Sequence, residues 1–202
     1  MMNILYVILS FMLFLGMTLY KSPLSVEEMA NSSVMILDPE SRSGGSGNII
    51  QSNKTGSYIL TNRHVCGVIE NGGNVKTNDN NIYPVYEYFL YDKHDLCLIH
   101  ITENLKVNLK IANKKIRYID VSISGHPALL PHIVSRGNVS SDSMIDVMVS
   151  SAPCDTGDMD VSCVLFGRKP VIKHYTSTLI SALIMPGSSG SAVFNNEGEY
   201  AR

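Results

Sequence analysis

The stretch MPGSSGSAVF, residues 185–194, contains the residue types that a nucleophilic serine needs. An attacking hydroxyl must be exposed on a tight turn, with backbone N–H groups directed at the negative charge that develops on the substrate. Gly187 can adopt a positive φ, and Gly190 lets the chain turn away behind Ser189. The apolar Ala192–Phe194 run would anchor that turn in the core. We therefore predict Ser189 as the nucleophile, with a flexible Gly/Ser hairpin loop as the alternative.

A histidine that could act as a general base follows a pair of predicted strands. The segment GSGNIIQSNKTGSYILTNRHVC, residues 45–66, has the pattern of a strand, a polar turn at Asn53–Gly56, a second strand and a short turn carrying His64. An imidazole changes its charge near neutral pH, so it suits proton transfer to and from a serine. The alternative is a partly buried structural histidine.

A carboxylate in an unusual setting supplies the third group. In DKHDLCLIHI, residues 92–101, Asp95 stands at the head of an apolar strand. Removing a carboxylate from water is costly unless a partner compensates, and an imidazole N–H would provide that partner. The alternative is a turn aspartate that caps the loop before the strand.

The elements that must position these groups are predicted to be short β-strands. After Gly44 the chain alternates runs rich in β-branched and aromatic residues with Gly, Asn, Asp and Ser, which is typical of an all-β sandwich or barrel. The predicted strands are Asn48–Gln51, Tyr58–Thr61, Ile82–Tyr91, Leu96–Ile101, Ile116–Ser124, Ile133–Val139, Met144–Ser150, Val161–Phe166 and Thr176–Met185.

In these motifs and their order, ILTNRHV, then HDLCLI, then PGSSGSAVF, the sequence resembles the trypsin/chymotrypsin clan of serine proteases. Within this clan it most resembles the HtrA-type and glutamyl-endopeptidase-like members. SGHPALLPHIVSRGNVS, residues 124–140, is similar to the stretch that opens the second barrel in the HtrA type. The resemblance covers about residues 44 to 200, although Ser188, Ser191 and Ala192 depart from the common GNSGGP form.

The resemblance implies an all-β fold of two six-stranded barrels, the first at about 43–115 and the second at about 116–202. It also implies a serine endopeptidase with His64, Asp95 and Ser189 as catalytic triad, and the backbone N–H groups of Gly187 and Ser189 as oxyanion hole. On the same resemblance, we expect a polypeptide substrate that lies extended along a strand edge of the second barrel. Because only 13 residues follow Ser189, the second barrel could be incomplete at its C-terminus. An inactive, peptide-binding pseudoprotease is therefore the alternative.

In this clan the residues before the nucleophile turn line the primary specificity pocket, which here points to Leu183, Ile184 and Met185. None carries a charge that would pair with Lys or Arg. We therefore predict cleavage after small or medium apolar residues. His132 and His174 stay open as wall residues that would select acidic side chains, against a structural or surface role for each.

The N-terminal segment is much more apolar than the rest of the chain. From Ile4 to Leu19 the residues are almost all apolar, with no charge before Lys21, which predicts a signal peptide or a membrane anchor over residues 1–20. An uncleaved anchor is favoured because no small-residue cleavage site follows Leu19. Residues 21–42 are predicted to be a linker with a short amphipathic segment around Val26–Val34. We expect a membrane-anchored or exported protein.

Composition and cysteines limit the remaining function classes. The formal net charge is −2 and Lys and Arg do not cluster, which argues against a nucleic-acid partner. No cofactor and no metal are expected, because the chain has neither a CxxC pair nor an EF-hand pattern. Cys154 and Cys163 bracket a polar loop and are predicted to form a disulfide. Cys66 and Cys97 could be bridged or could be buried thiols.

Overall fold

The structure, a computed structural model, describes residues 25–91, 94–113, 119–154 and 168–201, with the backbone alone described for 141–152 and 170–177. Most of the first half of the chain forms one antiparallel sheet in the order β5-β4-β1-β2-β3-β7-β6. Its strands are β1 (Ser33–Leu37), β2 (Gly44–Asn53), β3 (Gly56–Thr61), β4 (Asn74–Lys76), β5 (Ile82–Pro84), β6 (Glu87–Tyr91) and β7 (Leu96–Ile101).

One extended run joins the two ends of this sheet. Strands β5 and β6 are consecutive parts of it, interrupted only at Val85 and Tyr86. The Val85 N–H donates to the Gly73 carbonyl beside β4, and the Tyr86 N–H donates to the His100 carbonyl of β7, each at 3.0 Å. Because the run pairs with β4 at its start and with β7 at its end, it curls the sheet into a barrel-like layer.

The interior of the first sheet follows from the two-residue period of its strands. In β7, Cys97, Ile99 and Ile101 are almost fully buried, as expected for every second side chain of a half-buried strand. They pack with buried β-branched side chains of other strands, including Ile36, Ile49, Ile59 and Val75. These branched side chains pack well on a pleated surface.

The second sheet has four strands in the order β10-β9-β8-β11. These strands are β8 (Asp120–Gly125), β9 (Ile133–Pro153), β10 (Arg168–Ile180) and β11 (Ala192–Asn195). β9 and β10 pair along almost their whole length, so the sheet extends into a long two-stranded ribbon. In the part of the chain that the structure describes, this sheet does not close into a barrel.

A short helix and the C-terminal residues bring the two sheets together. Helix α1 (Val26–Ser32) begins with a capping box between Ser25 and Glu28, and its Met29 packs against Phe194 of β11. At the other end of the chain, Tyr200 pairs with the segment between the sheets: its N–H donates to the Lys110 carbonyl and its carbonyl accepts from the Ala112 N–H, each at 2.8 Å.

The all-β prediction is confirmed, with differences in particular elements. β9 is one continuous strand where the sequence predicted two. Residues 26–37, assigned to a linker, form α1 and β1, and β1 pairs on both sides because Val34, Ile36 and Leu37 are buried. Within the described residues, no helix is long and apolar enough to cross a membrane. The predicted segment Ile4–Leu19, the strand Val161–Phe166 and the Cys154–Cys163 pair involve residues outside the described ranges.

Candidate active site

His64 lies on a one-turn helix, α2 (Arg63–Cys66), that follows β3 directly. Asn62 stands at the start of this helix in an extended conformation, and its side-chain amide donates to the Asp95 carbonyl at 3.0 Å. The adjacent Val65 and Cys66 are buried. These buried neighbours fix the turn, whereas the imidazole itself points to solvent and is 58% exposed.

Both carboxylate oxygens of Asp95 bind His64. The His64 ring Nδ1 lies 2.8 Å from Asp95 Oδ2, and the His64 backbone N–H donates to Asp95 Oδ1 at 3.0 Å. Because both side chains are more than half exposed, the pair contributes little to folding stability. Its effect is geometric, since two contacts to one carboxylate fix the direction of the imidazole and leave Nε2 on the opposite side of the ring.

A disulfide joins the two segments that carry this pair. Cys66 follows His64 by two residues and Cys97 follows Asp95 by two residues, and the two cysteines are bonded to each other. Both are buried in the core of the first sheet. This finding settles the alternative left open by the sequence in favour of the bridge.

Ser189 lies in a pair of successive tight turns, Met185–Ser188 and Ser188–Ser191, which we call the nucleophile turn. The Ser188 N–H donates to the Met185 carbonyl, and the Ser191 N–H donates to the Ser188 carbonyl, each at 2.9 Å. Gly187 and Gly190 occupy the third positions, with φ of +89° and +84°. Type II turns require a positive φ there, so the glycine spacing predicted from the sequence has a conformational cause.

Every carbonyl from Pro186 to Gly190 accepts a hydrogen bond. The donors for Gly187, Ser189 and Gly190 come from β2 of the first sheet and are the Ser46 hydroxyl, the Ser46 N–H and the Asn48 side-chain amide. The Pro186 carbonyl accepts from the Ala128 N–H. The nucleophile turn is thereby held from behind by β2 of the first sheet and by the connection between β8 and β9.

The opposite side of the turn presents unused donors. Among the described residues, neither the Gly187 N–H nor the Ser189 N–H donates a hydrogen bond to the protein. Ser189 is half-buried, and within the same residues its hydroxyl has no hydrogen-bond partner. Two free amides beside a free hydroxyl match what binding of an oxyanion requires.

Gly45 separates the histidine turn from the nucleophile turn. A Cβ at this position would lie 2.8 Å from a methyl group of Val65 and 3.1 Å from the Ser189 carbonyl oxygen, so the two turns approach one another across it. In the described part of the chain, no hydrogen bond joins the His64 ring to Ser189. The structure thus brings His64 and Asp95 into direct contact and places Ser189 on the adjoining turn.

A small apolar cavity of about 40 Å³ adjoins the nucleophile turn. Of the three residues predicted for the specificity pocket, Leu183 and Met185 line this cavity, whereas Ile184 is not part of its lining and is 62% exposed. The remaining lining residues, which the sequence argument missed, are Ile123, Gly125, Pro127, Ile133, Ser135, Ser188 and Ser191. The two isoleucines belong to β8 and β9, and only the strand register places them beside Leu183.

His132, one of the two predicted wall residues, is not among the residues that line this cavity. Its Nε2 lies 2.7 Å from the Ser124 hydroxyl, and its ring packs edge-on against the buried His126. Burial, together with the neighbouring His126, lowers the pKa of His132 to about 4. The side chain of His174 lies outside the described set. Among the described residues, no group of three His, Cys, Asp or Glu is arranged to hold a metal ion.

Solved structures resemble this fold at low sequence identity. The active form of the Rv3671c protease from M. tuberculosis is 20% identical with a TM-score of 0.62, and the match covers 89% of this chain and 74% of that chain. The serine endoprotease from Yersinia pestis is 22% identical with a TM-score of 0.57, covering 88% of this chain and 56% of that one. At these identities the likeness shows the fold.

Sequence comparison supplies the family. No curated protein sequence matches the chain. Residues 45–200, which include both turns, the second sheet and the first sheet apart from β1 and Gly44, match the family described as Trypsin-like peptidase domain. The chain therefore belongs to the trypsin-like peptidase domain family and has the fold of trypsin-like serine proteases.

Proposed function

We propose that this protein is a serine endopeptidase in which Ser189 is the nucleophile, His64 the general base and Asp95 the group that orients His64. The observation that carries the proposal is the double contact from Asp95 to His64, formed beside a turn whose Gly187 and Ser189 amides are free among the described residues. The family and the fold support the same activity.

In the proposed mechanism the substrate carbonyl carbon is attacked by the Ser189 hydroxyl. His64 Nε2 takes the hydroxyl proton while Asp95 stabilises the imidazolium that forms. The carbonyl oxygen becomes an oxyanion, and the Gly187 and Ser189 N–H groups donate to it. His64 then gives its proton to the leaving amine, the peptide bond breaks, and water repeats the sequence to release the acyl group from Ser189.

The cavity beside the nucleophile turn supports a preference for small apolar side chains before the cleaved bond. A volume of about 40 Å³ is little more than the roughly 30 Å³ that one water molecule occupies in the liquid, which corresponds to a very small side chain. Its described lining contains no charged residue. Alanine and serine fit this space, whereas aromatic and long basic side chains do not.

The N-terminal sequence supports a further part of the proposal, attachment to a membrane. The uncharged run from Ile4 to Leu19 has the length of a short membrane-spanning helix. The polypeptide substrates would then be encountered near a membrane surface or in an exported compartment.

Cleavage of a mixed peptide library by the purified chain tests the proposed activity. Wild-type protein should cleave peptides that carry a small apolar residue before the cleaved bond. Ser189→Ala should reduce the rate by about 10³-fold or more, because the nucleophile is lost. The matched control is Ser140→Ala, which removes an exposed hydroxyl on β9. Folded wild-type protein that cleaves no peptide would favour the binding-module alternative.

A further inference from the structure

Ser46 lies on β2, in the middle of the first sheet, and donates two hydrogen bonds to the nucleophile turn. Its backbone N–H donates to the Ser189 carbonyl at 2.8 Å, and its hydroxyl donates to the Gly187 carbonyl at 2.8 Å. Ser46 is fully buried. One residue of β2 therefore binds two carbonyl groups of the nucleophile turn.

The Ser46 hydroxyl also joins the nucleophile turn to a second, strained turn. It accepts a hydrogen bond from the His126 N–H at 2.8 Å, so its own proton is directed at Gly187. Two residues later, the Ala128 N–H donates to the Pro186 carbonyl. Ala128 and Leu129 have φ of 52° and 55°, a conformation that non-glycine residues rarely adopt. Such strain persists only where surrounding contacts hold it.

These contacts determine where the free amides point because a peptide unit is planar. Holding the carbonyl of Pro186 fixes the N–H of Gly187 in the opposite direction, and holding the carbonyl of Ser188 does the same for Ser189. The Gly187–Ser188 peptide lies between these two units. If this middle unit rotates, the two flanking N–H groups no longer converge. The N–H of this middle unit donates to the Met185 carbonyl, and its carbonyl accepts from the Ser46 hydroxyl, the one side-chain group among the described residues that opposes its rotation.

We propose that Ser46 is a positioning residue for the oxyanion-binding amides of Gly187 and Ser189, an inference that rests on the proposed peptidase function. The oxyanion exists only after the hydroxyl has attacked. Ser46 therefore acts on the rate of the chemical step and leaves substrate binding nearly unchanged.

The chain supplies a matched control for this role. Ser57, also fully buried in the first sheet, donates from its hydroxyl to the Glu103 carbonyl at 2.7 Å and accepts from the Leu105 N–H at 2.9 Å. Its hydroxyl thus bridges a carbonyl and an amide as that of Ser46 does, but its partners are not part of the nucleophile turn. Replacing either serine with alanine removes the hydroxyl partner of one backbone carbonyl and one backbone N–H, and Ser57→Ala also removes a contact to the Ser52 hydroxyl at 2.9 Å.

The test compares Ser46→Ala with Ser57→Ala in the full-length protein, using peptide cleavage, urea unfolding and inhibition by a peptide aldehyde. For Ser46→Ala we expect kcat to fall about 30-fold with KM changed less than about threefold, since losing an oxyanion donor outright costs 10²–10³. Affinity for the aldehyde, which binds as a tetrahedral adduct, should fall by a similar factor. Ser57→Ala should lower the urea midpoint comparably while keeping kcat within about twofold.

A structural role alone would give a different pattern. If both variants lower stability alike and both keep kcat, or if Ser46→Ala raises KM and leaves kcat unchanged, the positioning role is overturned. Should Ser46→Ala fail to fold, Ser46→Cys preserves the volume with a weaker donor, and it should show the same fall in kcat. An inactive wild-type enzyme would refute the proposed function itself, whereas an active wild type with an unaffected Ser46→Cys variant would refute only this inference.

Discussion

His64 and Asp95 are joined by two contacts rather than one: the imidazole Nδ1 lies 2.8 Å from one carboxylate oxygen, and the His64 backbone N–H lies 3.0 Å from the other. An asparagine at position 95 would keep an oxygen for one of these contacts. Its NH₂ group, however, would face Nδ1 as a donor. The histidine would then carry its proton on Nε2, where a base needs a lone pair.

Asp95→Asn should therefore lower kcat by about 10⁴-fold while leaving the fold intact, as expected for a histidine held in the wrong tautomer. Rates of peptide cleavage, normalised to folded protein, measure the effect. The control is Glu87→Gln, since the Glu87 carboxylate lies 3.1 Å from Nδ1 of His100 in the same sheet. Equal losses in the two variants would contradict the role given to Asp95.

The disulfide between Cys66 and Cys97 should matter for both stability and rate. It links residues 31 apart, so the double variant Cys66→Ala/Cys97→Ala should lose about 3 to 4 kcal/mol of unfolding free energy by the loop-entropy estimate. Because each cysteine stands two residues from His64 or Asp95, we also expect kcat to fall about tenfold through misalignment of that pair. Urea unfolding measures the loss of stability, and cleavage rates normalised to active sites measure the fall in kcat. If kcat is unchanged, the disulfide contributes to stability alone.

Stability should decline on mild acidification because of the buried His126 and the partly buried His132. The pKa of His132 is lowered to about 4 from 6.5, and burial also lowers the pKa of His126. Between these pH values the unfolded chain binds more protons than the folded chain. Unfolding free energy is therefore fully retained above about pH 6.5 and is lost progressively as the pH falls toward 4. Urea midpoints at pH 7 and pH 5 should differ less in His132→Asn than in wild type, and an equal difference in both proteins would contradict this assignment.

The cavity beside the nucleophile turn should set the size of the accepted side chain. Ile133 lines it from β9, so Ile133→Ala should raise kcat/KM for leucine or methionine before the cleaved bond by about tenfold relative to alanine. Paired peptides that differ at this one position measure the shift. Leu130→Ala, which removes an exposed side chain outside the cavity lining, should leave the ratio unchanged. A change of the same size in both variants would argue against this cavity as the specificity pocket.

Much of the first sheet was predictable because its strands alternate clearly. Leu96–Ile101 was predicted with the bounds that the structure has, and Ile82–Tyr91 proved to be the run that joins the ends of the sheet. The segment predicted as a linker contains β1, which the sequence did not reveal. Four of its five side chains are buried, so apolar and polar residues do not alternate along it. The two predicted strands within β9 are continuous, because pairing with β10 compensates for the polar residues between them.

In the candidate site, the sequence indicates groups whose chemistry depends on residue type, but it does not indicate contacts that depend on strand register. The two glycines that adopt a positive φ in the nucleophile turn, Gly187 and Gly190, can be recognised in the sequence by their spacing. In contrast, the donors that hold the turn, Ser46 and Asn48, look like ordinary small polar residues of a strand. Only the packing of β2 behind the turn gives them their contacts. The same holds for Ile123 and Ile133, which face the cavity because of strand pairing.

Mass-spectrometric mapping of a fluorophosphonate adduct tests the central proposal most directly. We expect folded wild-type protein to carry one phosphonyl group on Ser189, Ser140→Ala to label at a similar rate, and Ser189→Ala not to label. His64→Ala should slow the reaction by several orders of magnitude because no base then accepts the hydroxyl proton. An adduct on another residue, or folded wild-type protein that does not react, would contradict the account.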